Sequence, residues 1–107
     1  MAIVTSGIQV NPDDELRREY AARLGVTDLG YADRRLSQLG ERLGFPVFPL
    51  STGLLEYART NKVNVHGFAN TQLGTGHWNQ HGHRQAAMLC AREMSILLKP
   101  HQGMSRD

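Results

Sequence analysis

The side chains with the most evident chemistry cluster in one stretch, Gly67 to Ala87, which holds the only Trp, three of the five His, and four Gly. At its centre runs Gly76-His77-Trp78-Asn79-Gln80-His81-Gly82-His83. Glycines let a loop adopt φ > 0 and approach other groups closely, and a helix start leaves backbone N–H groups unpaired. Imidazole is the side chain whose unperturbed pKa lies near neutrality, so one placed there could take a proton from a hydroxyl and return it to a leaving group. His77 is the first candidate for such a base. It needs a nucleophile and an orienting group within hydrogen-bond reach. Ser6 is the nearest nucleophile candidate, because it follows the first predicted strand; Ser51 is similarly placed after the second. Neither stands in a nucleophile-elbow sequence. A competing arrangement is His77, His81 and His83 as H-x3-H-x-H zinc ligands, with His66 able to approach. Gly82 inside that spacing, and the lack of a neighbouring Asp or Glu, argue against it, so no metal or other cofactor is expected.

Gly76-His77-Trp78-Asn79, two spacer residues, then Gly82-His83 and an Ala-rich helix resembles the last conserved block of the SGNH (GDSL-type) hydrolases. These are serine esterases and lipases of flavodoxin-like α/β fold. The resemblance implies that His77 is the general base, delivered by a loop ahead of the C-terminal helix. Asn70, Gly76, Trp78 and Asn79 then belong to the supporting loop, with a small ester as substrate. Backwards, Ala2 to Leu50 resembles the later strand, helix and strand of that fold, so the likeness covers the second half of the family's domain. The family's Gly-Asp-Ser nucleophile block has no counterpart here. Its catalytic Asp, two or three residues before the His, is replaced by Thr75 or Gly74. Thr75 can hydrogen-bond but cannot stabilise an imidazolium as a carboxylate does, which weakens the base.

Composition fits one globular domain: 107 residues, 40% hydrophobic and 21% charged. The net charge of +2 arises from a slight excess of basic residues rather than a basic tract, which argues against nucleic acid as a partner. Arg17-Arg18 and Arg34-Arg35 are assigned to solvated helix faces. Cys90 is the only cysteine, so no internal disulfide forms; it falls on an apolar helix face as a small hydrophobe. No apolar run reaches membrane-spanning length and no secretory leader is evident, which points to the cytoplasm.

The elements that must position His77 follow from local patterning. Ala2 to Thr5 reads as a buried strand beginning almost at the first residue, which suggests a truncated or split form of something longer. Asn11 as N-cap, Pro12 at the first helical position and Asp13-Asp14-Glu15 start a helix with Leu16, Tyr20 and Leu24 on one face, stopped by Gly25. A second helix runs from Thr27 or Asp28 to Gly44, unless Gly30-Tyr31 is a turn. Phe45 to Leu50 is extended by its prolines. Thr52 caps a short helix with Leu54, Leu55 and Ala58 inward; Val63 to His66 is a brief extended piece. The last helix, from Gly82 or His83 to about Leu98, carries the stripe Ala86, Ala87, Cys90, Met94, Leu97 and Leu98, ended by Pro100.

This order predicts an α/β chain with two parallel strands joined by a right-handed crossover, and the resemblance implies that it is a partial flavodoxin-like, three-layer topology. Two such strands leave an exposed edge. A homo-oligomer, or a complementing N-terminal chain, is therefore expected.

Overall fold

The computed structural model describes residues 1–68 and 70–99. In chain order these form β1 (Ala2–Ile3), a 3-10 turn (Ile8–Val10), α1 (Asp14–Leu24), α2 (Tyr31–Leu43), β2 (Phe48–Pro49), α3 (Ser51–Asn61) and α4 (Gln80–Leu98). β1 and β2 pair in parallel, Ala2 opposite Phe48 and Ile3 opposite Pro49, with α1 and α2 in the connection between them. Both strands are shorter than the apolar runs that announce them.

The sheet's two edges differ. Phe48 and Leu50 donate their N–H groups to the carbonyls of Met1 and Ile3. Because backbone groups alternate in direction along a strand, Pro49 faces the other side of β2 with no donor to offer. On β1, Ala2 and Val4 face outward, and among the described residues nothing pairs with their backbone groups. The Val4 side chain is 67% exposed. The expected open edge is therefore present, and it belongs to β1.

Val10, Leu50, Leu54, Ala58, Val65 and Ala86 form one buried apolar cluster, against which Trp78 and Leu89 pack. Leu54 and Val10 are fully buried, each contributing on the order of 1.5–3 kcal/mol by removal from water. α3 lies at the centre because Leu54 and Ala58, four residues apart, share one helix face.

Several boundaries differ from the sequence reading for identifiable reasons. Asp13, not Asn11, caps α1: its carboxylate accepts the N–H groups of Glu15 and Leu16, while the Asn11 side chain accepts that of Asp13. Leu16 and Leu24 are exposed and only Ala21 of α1 is buried. α2 starts at Tyr31 because the Asp28 carboxylate accepts the Gly30 N–H at 2.7 Å and pairs with Arg34 at 2.8 Å, closing a turn first. At Gly40 a Cβ would sit 2.4 Å from Val47 Cγ2 and 2.8 Å from the Phe45 carbonyl, so only glycine lets α2 press against the segment entering β2. α3 starts at Ser51, one residue before Thr52, and ends where Lys62 turns left-handed at φ 53°.

The stripe on α4 is covered only in its first half. Ala86 is buried and Cys90 half-buried, whereas Ala87, Met94, Leu97 and Leu98 are exposed. Pro100 and the tail beyond it lie outside the described residues. No described helix is long and apolar enough to cross a membrane.

Candidate functional site

The loop carrying His77 is fastened at its base by main-chain hydrogen bonds. His66 and Trp78 form an antiparallel bridge, Gly67 N–H donates to the His77 carbonyl at 3.0 Å, and Asn79 N–H donates to the Val65 carbonyl at 2.9 Å. Gly74 N–H returns to the His66 carbonyl at 2.9 Å. Gly74 and Gly76 sit at φ 86° and 79°, which L side chains seldom adopt. The loop is also pressed against the segment that joins β1 to the 3-10 turn. A Cβ on Gly7 would lie 1.9 Å from the Gly74 carbonyl oxygen, so the two backbones are in direct contact.

Between these ties the His77 side chain is exposed, and among the described residues no hydrogen bond reaches its ring. No described carboxylate forms an ion pair with it. Ser6 is exposed one residue before Gly7; its backbone N–H donates to Gln9 Oε1 at 3.3 Å, and its hydroxyl makes no hydrogen bond to His77. Ser51 is committed elsewhere, donating to Asp33 Oδ2 at 2.5 Å, an oxygen that also accepts Gln9 Nε2–H at 3.0 Å. The 7% exposed Asp33 carboxylate thereby joins the first residues of α3 to the 3-10 turn.

The supporting residues divide by what they touch. Thr75 donates its hydroxyl to the Gln72 carbonyl at 2.8 Å, so it closes a turn within the loop rather than meeting an imidazole. Asn79 caps α4, accepting Gly82 N–H at 3.2 Å and donating to the Asn64 carbonyl at 2.8 Å. Asn70 is exposed in a turn. The imidazoles of the H-x3-H-x-H pattern do not converge. His81 shares a hydrogen bond with the Tyr57 hydroxyl at 3.1 Å, and His83 meets the Trp78 ring edge-on at 5.7 Å. Among the described residues no three His, Cys, Asp or Glu side chains are grouped to hold an ion. The helical start of α4 turns His81 and His83 toward different neighbours.

One polar array was not legible in the sequence. His66, 4% exposed, places Nδ1 2.6 Å from the Gly76 carbonyl oxygen and Nε2 3.0 Å from Thr5 Oγ1. A carbonyl can only accept, so Nδ1 carries the proton and Nε2 accepts from the Thr5 hydroxyl. The Trp78 indole N–H donates to the same Thr5 oxygen at 3.1 Å. Thr5 stands just past β1. Its adjacency to Ser6 and the bulkless Gly7 is the only sequence signal that could have drawn attention to it.

Elsewhere a cleft of about 1020 Å³ opens between α1, the turn before α2, and α3, lined by Gln9, Arg17, Asp28, Ser51 and Arg59 among others, with no histidine. The Asp14 carboxyl is held below its ordinary range by the hydrogen bond from Arg17, and Asp28 by that from Arg34 and then the Gly30 N–H. These charges are largely satisfied by one another. Comparison with protein-family models, curated proteins and solved structures finds no match for this chain.

Proposed function

We propose that the chain is the later portion of a flavodoxin-like hydrolase domain of the SGNH type, and that it contributes the general base, His77, to hydrolysis of a small carboxylic ester. The observation that carries this reading is the state of that imidazole. Its backbone is fastened on both sides to the 65–67 segment, and Trp78 beside it is tied to Thr5 just past β1, near where open α/β sheets place their sites, while no described residue hydrogen-bonds its ring. A base must have an unoccupied nitrogen to accept a proton.

Among the described residues nothing hydrogen-bonds the Ser6 hydroxyl to activate it. The nucleophile and the orienting carboxylate are therefore assigned to a second copy or a complementing chain that pairs with the open edge of β1, in a cytoplasmic setting. No nucleic acid, membrane or cofactor takes part. The occupied hydroxyl of Thr75, and the absence of an ion pair to His77 among the described residues, favour a second reading as a non-catalytic assembly module of the same fold.

Turnover of p-nitrophenyl acetate by the purified chain, compared with His77→Ala, separates the two. A loss of at least tenfold supports the base; equal rates remove His77 from the chemistry. Light scattering coupled to gel filtration tests the assembly, and a monomer at working concentration contradicts it.

A further inference from the structure

We propose that Thr5 and His66 form a second hydroxyl–imidazole pair, which takes up acyl or phosphonyl groups from activated esters and their analogues without involving His77. The polarity of the array is fixed by its members. Because Gly76 offers only a carbonyl, the His66 lone pair lies on Nε2, and the single hydroxyl hydrogen of Thr5 points at it over 3.0 Å. A nucleophile bonded to a base that is itself oriented by a third group is the arrangement by which weak hydroxyls are activated. Here the Gly76 carbonyl is the orienting group. Indole nitrogen can only donate, so the Trp78 N–H at 3.1 Å stabilises the negative charge that develops on Thr5 Oγ1 as its proton leaves. His66 is buried, which keeps water from competing for Nε2, whereas Thr5 is only half-buried. Ser6, one residue on, has none of these contacts.

The reaction balances within the pair. Thr5 Oγ1 forms a bond to the acyl carbon while its proton passes to His66 Nε2. The ester C–O bond then breaks, and the departing alcohol takes that proton. Water reverses the sequence, giving up a proton through Nε2 to Thr5 Oγ1 as the carboxylic acid leaves. With a fluorophosphonate, the P–F bond breaks instead, fluoride departs with the proton, and the phosphonyl–threonine ester persists.

The full chain is incubated with a fluorophosphonate and the adduct is located by peptide mass mapping. The adduct is expected on Thr5, retained in Thr5→Ser and in His77→Ala, and formed about a hundredfold more slowly in His66→Gln. An adduct confined to Ser6, to other side chains, or absent altogether overturns the proposal, as does unchanged labelling in His66→Gln. Thr5→Ser preserves both hydrogen bonds, and Trp78 fluorescence reports whether each variant is folded, so loss of structure is not mistaken for loss of chemistry. This inference stands apart from the role given to His77: the His77→Ala comparison of p-nitrophenyl acetate turnover, made in a Thr5→Val background, leaves out any turnover at Thr5, so either reading can fail without the other.

Discussion

The contact between the end of β1 and the His77 loop can be tested with one added carbon, in Gly7→Ala. Gly7 has φ −59° and ψ −43°, a conformation alanine adopts freely, so the substitution carries no backbone strain of its own. The cost is steric. The new Cβ would lie 1.9 Å from the Gly74 oxygen, 2.8 Å from its carbonyl carbon and 3.2 Å from Thr75 Cα. Unstrained carbon–oxygen contacts begin at about 3.3 Å, so one backbone must retreat by more than about 1 Å. Neither is a flexible side-chain end, and Gly74 is itself bonded to the His66 carbonyl. Overpacking of this kind costs about 1–3 kcal/mol, offset by about 0.4–1 kcal/mol from the narrower unfolded ensemble of alanine. The net expectation is a loss of up to about 2.6 kcal/mol in urea denaturation. It should come with a displaced indole N–H resonance in the native state, since Trp78 is tied to Thr5 two residues before Gly7. Gly25→Ala provides the contrast: it meets nothing within 4 Å and has φ 72°, so it should lower stability by about 1–2 kcal/mol without moving the indole signal. Wild-type stability and an unshifted indole in Gly7→Ala would refute the contact.

Leu54→Ala removes a side chain that is 0% exposed at the centre of the core and should cost about 2–5 kcal/mol, read from the urea midpoint. Asn79→Ala removes the α4 cap and should cost about 1 kcal/mol; Asn79→Asp, which keeps the acceptor for Gly82 N–H, should recover part of it. Asp28 is held below its ordinary value of 3.8 by Arg34, so its contribution is fully present above that pH and is lost as pH falls through the lower folded value. The stability difference between wild type and Asp28→Asn should accordingly vanish in acid. Because the Asp28 side chain is 53% exposed, that difference should not exceed about 0.5 kcal/mol and should shrink in high salt.

Where one local rule acts alone, the sequence was sufficient. Gly25 and Gly44 end α1 and α2 in left-handed conformation, whereas α4 starts at Gln80, ahead of Gly82, because Asn79 caps it. It was insufficient where two local donors or acceptors compete. Asn11 and Asp13 both suit the start of α1, and only the realised turn decides between them. The apolar periodicity of α4 gave the right helix but the wrong extent of burial, because a stripe records what a helix can cover rather than what lies against it. At the candidate site, the loop ahead of α4 followed from glycine spacing and the neighbouring helix, whereas the exposure of the His77 ring was not foreseen. The Thr5–His66–Trp78 array did not, since it joins residues 61 and 73 positions apart through a contact that no local pattern encodes.

Pro49 sets a limit on how copies of this chain can associate through their backbones. Because it removes a donor from the β2 border of the sheet, the border formed by Ala2 and Val4 is the better template for an added strand. Two molecules facing each other across a two-fold axis through that border would cover each other's better template. Pairing of that kind would favour closed dimers over extended stacks.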